Sequence, residues 1–207
     1  MRDQVASRRR TLDAGARPLG WKVGFNIPEI QERLGIDRPV AGYLSTAGFV
    51  EAGGTWPIAG GERVAAEPEV AVEIAPDGGS IAALLPALEI VDPPDLDLPL
   101  ERILARNVFH RGVVFGPRVE VEAPGAARVA RNGEQLEAVA AERTAAPLEA
   151  MVEVIGSRVA DAGERLQPGD RIITGAITPP LPVVPGERVR LELENLGSVE
   201  LSFGALE

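Results

Sequence analysis

The sequence predicts an α+β fold that is mainly β, a mixed roll or distorted barrel with few helices. Gly and Pro are abundant, 23 and 18 in 207 residues, and fall as separate turn signals such as "APDGG", "NG", "PGD" and "PGE". Short apolar or alternating runs lie between those turns, as in a chain of many short strands. Strands and helices do not alternate regularly, which argues against a doubly wound sheet. With no internal repeat or low-complexity tail, residues 1–207 read as a single domain.

Residues 2–13 form a short polar helix in this reading, and "IPEIQERLG" (27–35) a helical turn or two stopped by Gly35. "AGYLST" and "GFVEAGGTWPI" are short extended pieces. "VAVEI" (70–74) is a strand, and the apolar run 81–92 is interrupted by Pro86, with a second strand after it. "LPLERILARN" (98–107) reads as helix, and "GVVFG" (112–116) and "RVEVEA" (118–123) as strands. Asn132-Gly133 marks a hairpin within "ARVARNGEQLEAV". The clearest helix covers 147–163. Pro147 stands at its favoured first position, and Leu148, Met151, Val152, Ile155 and Val159 form one apolar stripe. "RIITGA" is a buried strand. "ERVRLELE" turns Val189, Leu191 and Leu193 to one face, and "SVELSF" pairs with it.

Composition removes several function classes. The absence of cysteine excludes disulfides, zinc-thiolate sites and a thiol nucleophile. The single histidine, His110, reads as structural or surface. A formal charge of −10 argues against nucleic acid, and nothing approaches a transmembrane length. The basic N-terminus lacks a following apolar segment, so the expectation is a cytoplasmic protein with no membrane partner.

The stretch "VAAEPEVAVEIAPD" (64–77) carries the chemistry. Glu67, Glu69 and Glu73 share one parity, so a strand points them one way, with Val70, Val72 and Ile74 on the other face. Glu89 lies in the next apolar run, where an unpaired carboxylate is costly. Spacing alone leaves two readings, a solvated strand face or an oxygen-ligand site for Mg²⁺ or Mn²⁺. Lys22 in "GWKVG" is likewise either a surface lysine in a Gly-rich turn or an ammonium reaching inward.

In order, "GWKVGFNIPEIQERLGIDRPVAG", "EPEVAVEI", "LPALEIVD", "RNGE" and "DRIITGA…VPGERV…LGSV" are similar to the 2-keto-4-pentenoate hydratase / 4-oxalocrotonate decarboxylase branch of the fumarylacetoacetate hydrolase superfamily. The likeness runs from about Gly20 to Phe203. It implies the mixed β-roll of that superfamily's C-terminal domain, with residues 1–19 a shortened N-terminal segment. It also implies Mg²⁺ (or Mn²⁺) held by Glu67, Glu69 and Glu89, and Lys22 as the active-site lysine, either pairing with substrate or transferring a proton at a lowered pKa. Asn107, Thr174 and Gly175 match positions near the family's substrate pocket, although Asn107 also stands where it would cap its helix. A homo-oligomer is implied as well.

Departures accompany the match. Where the family reads D-x-P-D-F-G, this chain has Asp37-Arg38-Pro39-Val40-Ala41-Gly42, so the second aspartate is Val40 and Asp37 remains as a catalytic candidate. The family's glycine-rich segment has Ala138, Ala140 and Ala145 in place of glycine, which favours helix over an active-site loop. Arg106 stands where the family often has aspartate.

The resulting expectation is a metal-dependent, hydratase-like lyase acting on a small anionic 2-oxo or 2-hydroxydienoic acid through a metal-stabilised enolate, in aromatic catabolism. The alternatives are a 2-oxo acid decarboxylase, or a catalytically altered or non-catalytic homologue supporting a partner enzyme. A carbon–carbon hydrolase is disfavoured, because the usual histidine–glutamate arrangement is not recognisable.

Overall fold

The computed structural model describes residues 2–145 and 148–206, and it is mostly strand. Helix α1 (Arg2–Asp13) leads into β1 (Pro18–Gly24), α2 (Pro28–Leu34), β2 (Val40–Ser45) and β3 (Thr55–Ile58). A long hairpin follows, β4 (Val64–Ile74) and β5 (Ile81–Val91), then α3 (Leu100–Ala105) and β6 (His110–Phe115). A second hairpin, β7 (Ala127–Arg131) and β8 (Glu134–Val139), precedes α4 (Ala141–Ala145) and α5 (Leu148–Ala160). Strands β9 (Arg171–Ala176), β10 (Leu181–Val183), β11 (Arg188–Leu193) and β12 (Gly197–Ala205) complete the described chain.

Two sheets carry the fold. The seven-stranded sheet runs β2-β1-β9-β4-β5-β6, with β10 on β4, and only the β1–β9 pairing is parallel. The five-stranded sheet runs β3-β12-β11-β7-β8. Their shared core joins Val70 and Val72 of β4 to Leu84 and Leu88 of β5, Leu191 of β11 and Phe203 of β12. Helix α5 packs on β1, β2 and β9 of the larger sheet. That sheet curls, so β2 approaches β6. The even residues of β4 join the core, while the odd residues face a second region flanked by two smaller apolar clusters.

Several local expectations hold for clear reasons. Gly35 closes α2 in the left-handed conformation at φ 64°, and its N–H reaches the carbonyls of Gln31 and Glu32. Asn132 and Gly133 both have positive φ, 51° and 86°, which matches the twist of a two-residue hairpin turn.

Four expectations are corrected. The lysine segment is strand β1, not a Gly-rich turn. The strand read as 70–74 begins at Val64. Pro86 does not interrupt its run, and β5 passes through it. Its carbonyl accepts from Gly116 N–H at 2.7 Å on the β6 side, so its missing donor faces the place where β6 ends at Phe115. Residues 118–123 form no strand, and only Val119 makes an isolated bridge, to Leu84. The clear helix is described from Leu148, so Pro147 lies outside the described residues. Among the described residues no helix is long and apolar enough to cross a membrane.

Candidate metal centre and cavity

The β4–β5 hairpin places Glu67 directly opposite Glu89, with Glu69 two positions further along the same face. One oxygen from each of Glu67, Glu69 and Glu89 lies within 4.8 Å of the others. Like charges facing each other across a ladder are destabilising, and burial sharpens the repulsion. Glu69 and Glu89 are buried.

One lysine partly offsets these acids. Lys22 projects from β1 across the inside of the curl, and Nζ donates to Glu89 Oε1 and to the Val108 carbonyl at 3.2 Å. Its partner position on β2 is Gly42, where a Cβ would come within 2.6 Å of Lys22 Cγ, so glycine makes room for the stem. The Val108 carbonyl is aimed by backbone strain. Asn107, Val108 and Phe109 have consecutive positive φ values of 51°, 54° and 64°, a conformation β-branched Val108 strongly disfavours. Both amide atoms of Asn107 brace this turn against Tyr43, accepting from its N–H at 2.9 Å and donating to its carbonyl at 2.8 Å.

His110 Nδ1 lies 2.7 Å from Glu89 Oε1, the oxygen that also accepts from Lys22. Glu89 Oε2 is buried and has no hydrogen-bond partner among the described residues. Gly175 N–H donates to Glu69 Oε2 at 2.7 Å. Gly175 has φ 109°, and a Cβ there would lie 2.5 Å from Asn26 Nδ2, so only glycine suits this close approach. Thr174 Oγ1 donates to the Val70 carbonyl at 2.9 Å, tying β9 to β4.

The electrostatics follow from this packing. Burial and then the charge of Glu89 push Glu67 up to about 7, against the opposing charge of Lys22. Burial, Glu89 and Glu67 raise Glu69 well above the usual carboxylate range, while Lys22 and the Gly175 N–H oppose that rise. Burial would also raise Glu89, but Lys22 and His110 hold it below its ordinary value. Burial alone would lower Lys22, yet Glu89, Glu67 and Glu69 outweigh it and raise its pKa. The raised pKa of Lys22 runs against the lowered one that proton transfer would call for.

The residues present suit a hard divalent cation. They supply carboxylate oxygens only, one of them unpartnered among the described residues, and the acids that burial and mutual repulsion hold towards their protonated forms are the groups a bound cation would let ionise.

A cavity of about 530 Å³ opens beside the cluster, lined by Lys22, Glu67, Glu69 and Gly175 together with apolar residues that include Ile27, Ile30 and Leu96. A larger hollow of about 1200 Å³, built by α5 and the 77–82 turn, contains none of these acids. The structure thus brings Lys22, Glu67, Glu69, Glu89 and Gly175 together, with Thr174 and Asn107 bracing the elements around them. It does not bring in Asp37, which is exposed and lines a separate hollow with Val40, Leu104 and Arg158. Val40 shares the Lys22 face of the β1–β2 pair but is buried in an apolar cluster with Val108 and Ile103. Glu73 also leaves the cluster, pairing with Arg118 and Arg171. His110 and the Val108 carbonyl were not legible as site groups. His110 sits opposite Val91, two residues from Glu89, only because β6 pairs with β5.

No family model matches the chain. It is 29% identical over 208 residues to a 4-oxalocrotonate decarboxylase of a Pseudomonas species, covering 92% of this chain and 80% of the relative. It is 28% identical over 227 residues to 2-keto-4-pentenoate hydratase 2 of Dechloromonas aromatica (strain RCB), covering 97% and 83%. Among solved structures, the 4-oxalocrotonate decarboxylase from Pseudomonas putida G7, complexed with magnesium and adipate, superposes with a TM-score of 0.83 at 24% identity, covering 97% of this chain and 83% of that one. The chain shares the mainly β, curled fold of that decarboxylase. The chain thus resembles the 2-keto-4-pentenoate hydratases and 4-oxalocrotonate decarboxylases, relatives that are enzymes.

Proposed function

We propose that this chain is a divalent-cation-dependent lyase acting on a small 2-oxo or 2-hydroxydienoic acid, with hydratase-like chemistry. The observation that supports this reading best is the unpartnered Glu89 Oε2, buried beside Glu67 and Glu69 while Oε1 is occupied by Lys22 and His110. Mg²⁺ or Mn²⁺ held by these three acids would supply a Lewis acid for the carboxylate and 2-oxo oxygens of such a substrate.

The chain's own groups have distinct parts in this reading. Gly175 N–H fixes Glu69, and His110 restrains Glu89. Lys22, whose pKa the neighbouring acids raise, offers positive charge and a donor beside the cavity. With valine at position 40 and Asp37 outside the cavity, Lys22 is the remaining proton-carrying candidate from the sequence reading. The apolar walls suit a short carbon chain.

Decarboxylation of a 2-oxo acid is the second reading, favoured by the decarboxylases among the relatives and structural neighbours. The valine at position 40 favours a third, a homologue without turnover that supports a partner enzyme. Calorimetry with Mg²⁺, Mn²⁺ and oxalate tests the shared premise. Both cations are expected to bind, oxalate is expected to bind only in their presence, and Glu69→Gln is expected to remove both. Absence of cation binding in the unaltered protein would refute all three readings. Hydration of 2-hydroxypenta-2,4-dienoate, release of carbon dioxide from a 2-oxo diacid, or turnover of neither then separates them.

A further inference from the structure

Helix α1 grips the strained turn beside Lys22 from two sides. Gln4, Ser7 and Thr11 fall on one face of α1 at helical spacing. Tyr43 Oη lies 3.2 Å from Ser7 Oγ and 3.1 Å from Thr11 Oγ1, and the main chain of the same tyrosine holds both amide atoms of Asn107. On the other side, Gln4 Nε2 donates to the Leu104 carbonyl, which also accepts Asn107 N–H at 2.9 Å. Gln4 is buried, and a buried amide is costly unless such a contact offsets it. Val5 is the one fully buried apolar side chain among the described residues of α1, so the helix depends on polar contacts of this kind.

We propose that Tyr43 and Gln4 are positioning residues, through which α1 keeps the 107–109 turn left-handed and the Val108 carbonyl aimed at Lys22. This inference rests on the function proposed above, in which Lys22 serves the cavity. The strain gives the two grips their purpose. Consecutive positive φ values at Asn107, Val108 and Phe109 favour relaxation of the turn, at β-branched Val108 most of all. Relaxation would turn away the carbonyl that accepts from Lys22 Nζ at 3.2 Å. It would also disturb His110, which follows the turn directly and donates its N–H to the Asn107 carbonyl at 3.1 Å. Lys22 and His110 both contact Glu89 Oε1, so one turn governs both. Neither Gln4 nor Tyr43 lines the cavity or belongs to the acid cluster, so their effect on a ligand there is indirect.

Calorimetry with oxalate in saturating Mg²⁺ tests the inference, with amide hydrogen exchange and urea unfolding on the same proteins. Tyr43→Phe and Gln4→Met are each expected to weaken oxalate binding about threefold to tenfold, the scale of one neutral hydrogen bond. Each is also expected to speed exchange at the Asn107 and Val108 amides. Glycine adopts positive φ without strain, so in a Val108→Gly background the turn needs no grip. There the same two substitutions should change oxalate affinity by less than about twofold while still lowering the urea midpoint. A merely structural role would lower the midpoint and leave oxalate binding alone. Unchanged oxalate affinity in either variant, a loss of equal size in the glycine background, or unchanged exchange at 107 and 108 would overturn the inference. The exchange measurement decides it if Val108→Gly does not fold. Absence of oxalate binding by the unaltered protein would overturn it together with the proposed function.

Discussion

Glu69 and Glu73 leave the same strand on the same face and meet opposite surroundings. Glu73 accepts from Arg118 Nε at 2.7 Å and lies 3.6 Å from Arg171 Nε, so its charge is met by arginines. Glu69 lies with Glu67 and Glu89, and Lys22 is the cation that opposes their effect on it. Alternation along a strand decides which face a carboxylate occupies. The charge balance on that face decides what it is for. An ion pair at position 73 is complete in itself, whereas the cluster at 67, 69 and 89 is left with a charge deficit that a ligand can meet.

The largest expected effect comes from widening that deficit. Lys22→Met leaves three acids without their ammonium and is expected to cost the metal-free protein about 3–5 kcal/mol in urea unfolding. Saturating Mg²⁺ should restore part of the loss. A cost below about 1 kcal/mol would mean that the acids are already relieved by solvent or protonation. Next comes the cation response. At about 100 times its dissociation constant a bound ion stabilises by about 2.7 kcal/mol. Glu69→Gln is expected to abolish that gain and Glu73→Gln to keep it, and equal losses in both variants would erase the distinction between the two sites.

A pH series tests the same deficit more gently. Glu67 sits at about 7 in the folded protein against an ordinary value of 4.5, so the native state retains a proton that the unfolded chain has released between those values. The stability this group contributes is present at lower pH and is lost as pH rises towards 7. The metal-free protein is therefore expected to melt at a lower temperature at about pH 8 than at about pH 5.5, with a smaller slope for Glu67→Gln. An identical slope in that variant would show that other groups set the trend. The smallest effect belongs to Glu73→Gln itself, a loss of no more than about 1 kcal/mol, because its arginine partners are substantially exposed.

Features encoded locally were legible before the fold was seen. Asn132-Gly133 fixes its own turn, Gly35 ends its own helix, and Val189, Leu191 and Leu193 display their alternation within a few residues. What depends on a distant partner was not. "RVEVEA" alternates like a strand, yet only Val119 finds a partner, so the pattern stays unpaired. Pro86 looked like a break because a missing N–H matters only where a neighbouring strand would receive it. In the candidate site, the parity of Glu67 and Glu69 and the cost of an unpaired Glu89 in its apolar run were readable from the sequence alone, whereas choosing a cation site over a solvated face, and an inward Lys22 over a surface one, required the family resemblance. The role of His110 depends on the register of β5 against β6, and the exclusion of Asp37 depends on the path of the chain before β2. Neither leaves a mark in local spacing.

The parallel pairing of β1 with β9 also bears on how the molecule is made. Lys22 is separated by 67 residues from Glu89, and Glu69 by 106 residues from the Gly175 N–H that holds it. Closing contacts over such distances costs chain entropy and slows folding relative to local pairing. During synthesis the three acids leave the ribosome well before β9, so β1 lacks one neighbour and Glu69 lacks its donor until residues 171–176 arrive. The cluster is thus complete only once β9 is in place, and a cation that needed the complete cluster would discriminate finished molecules from partly folded ones.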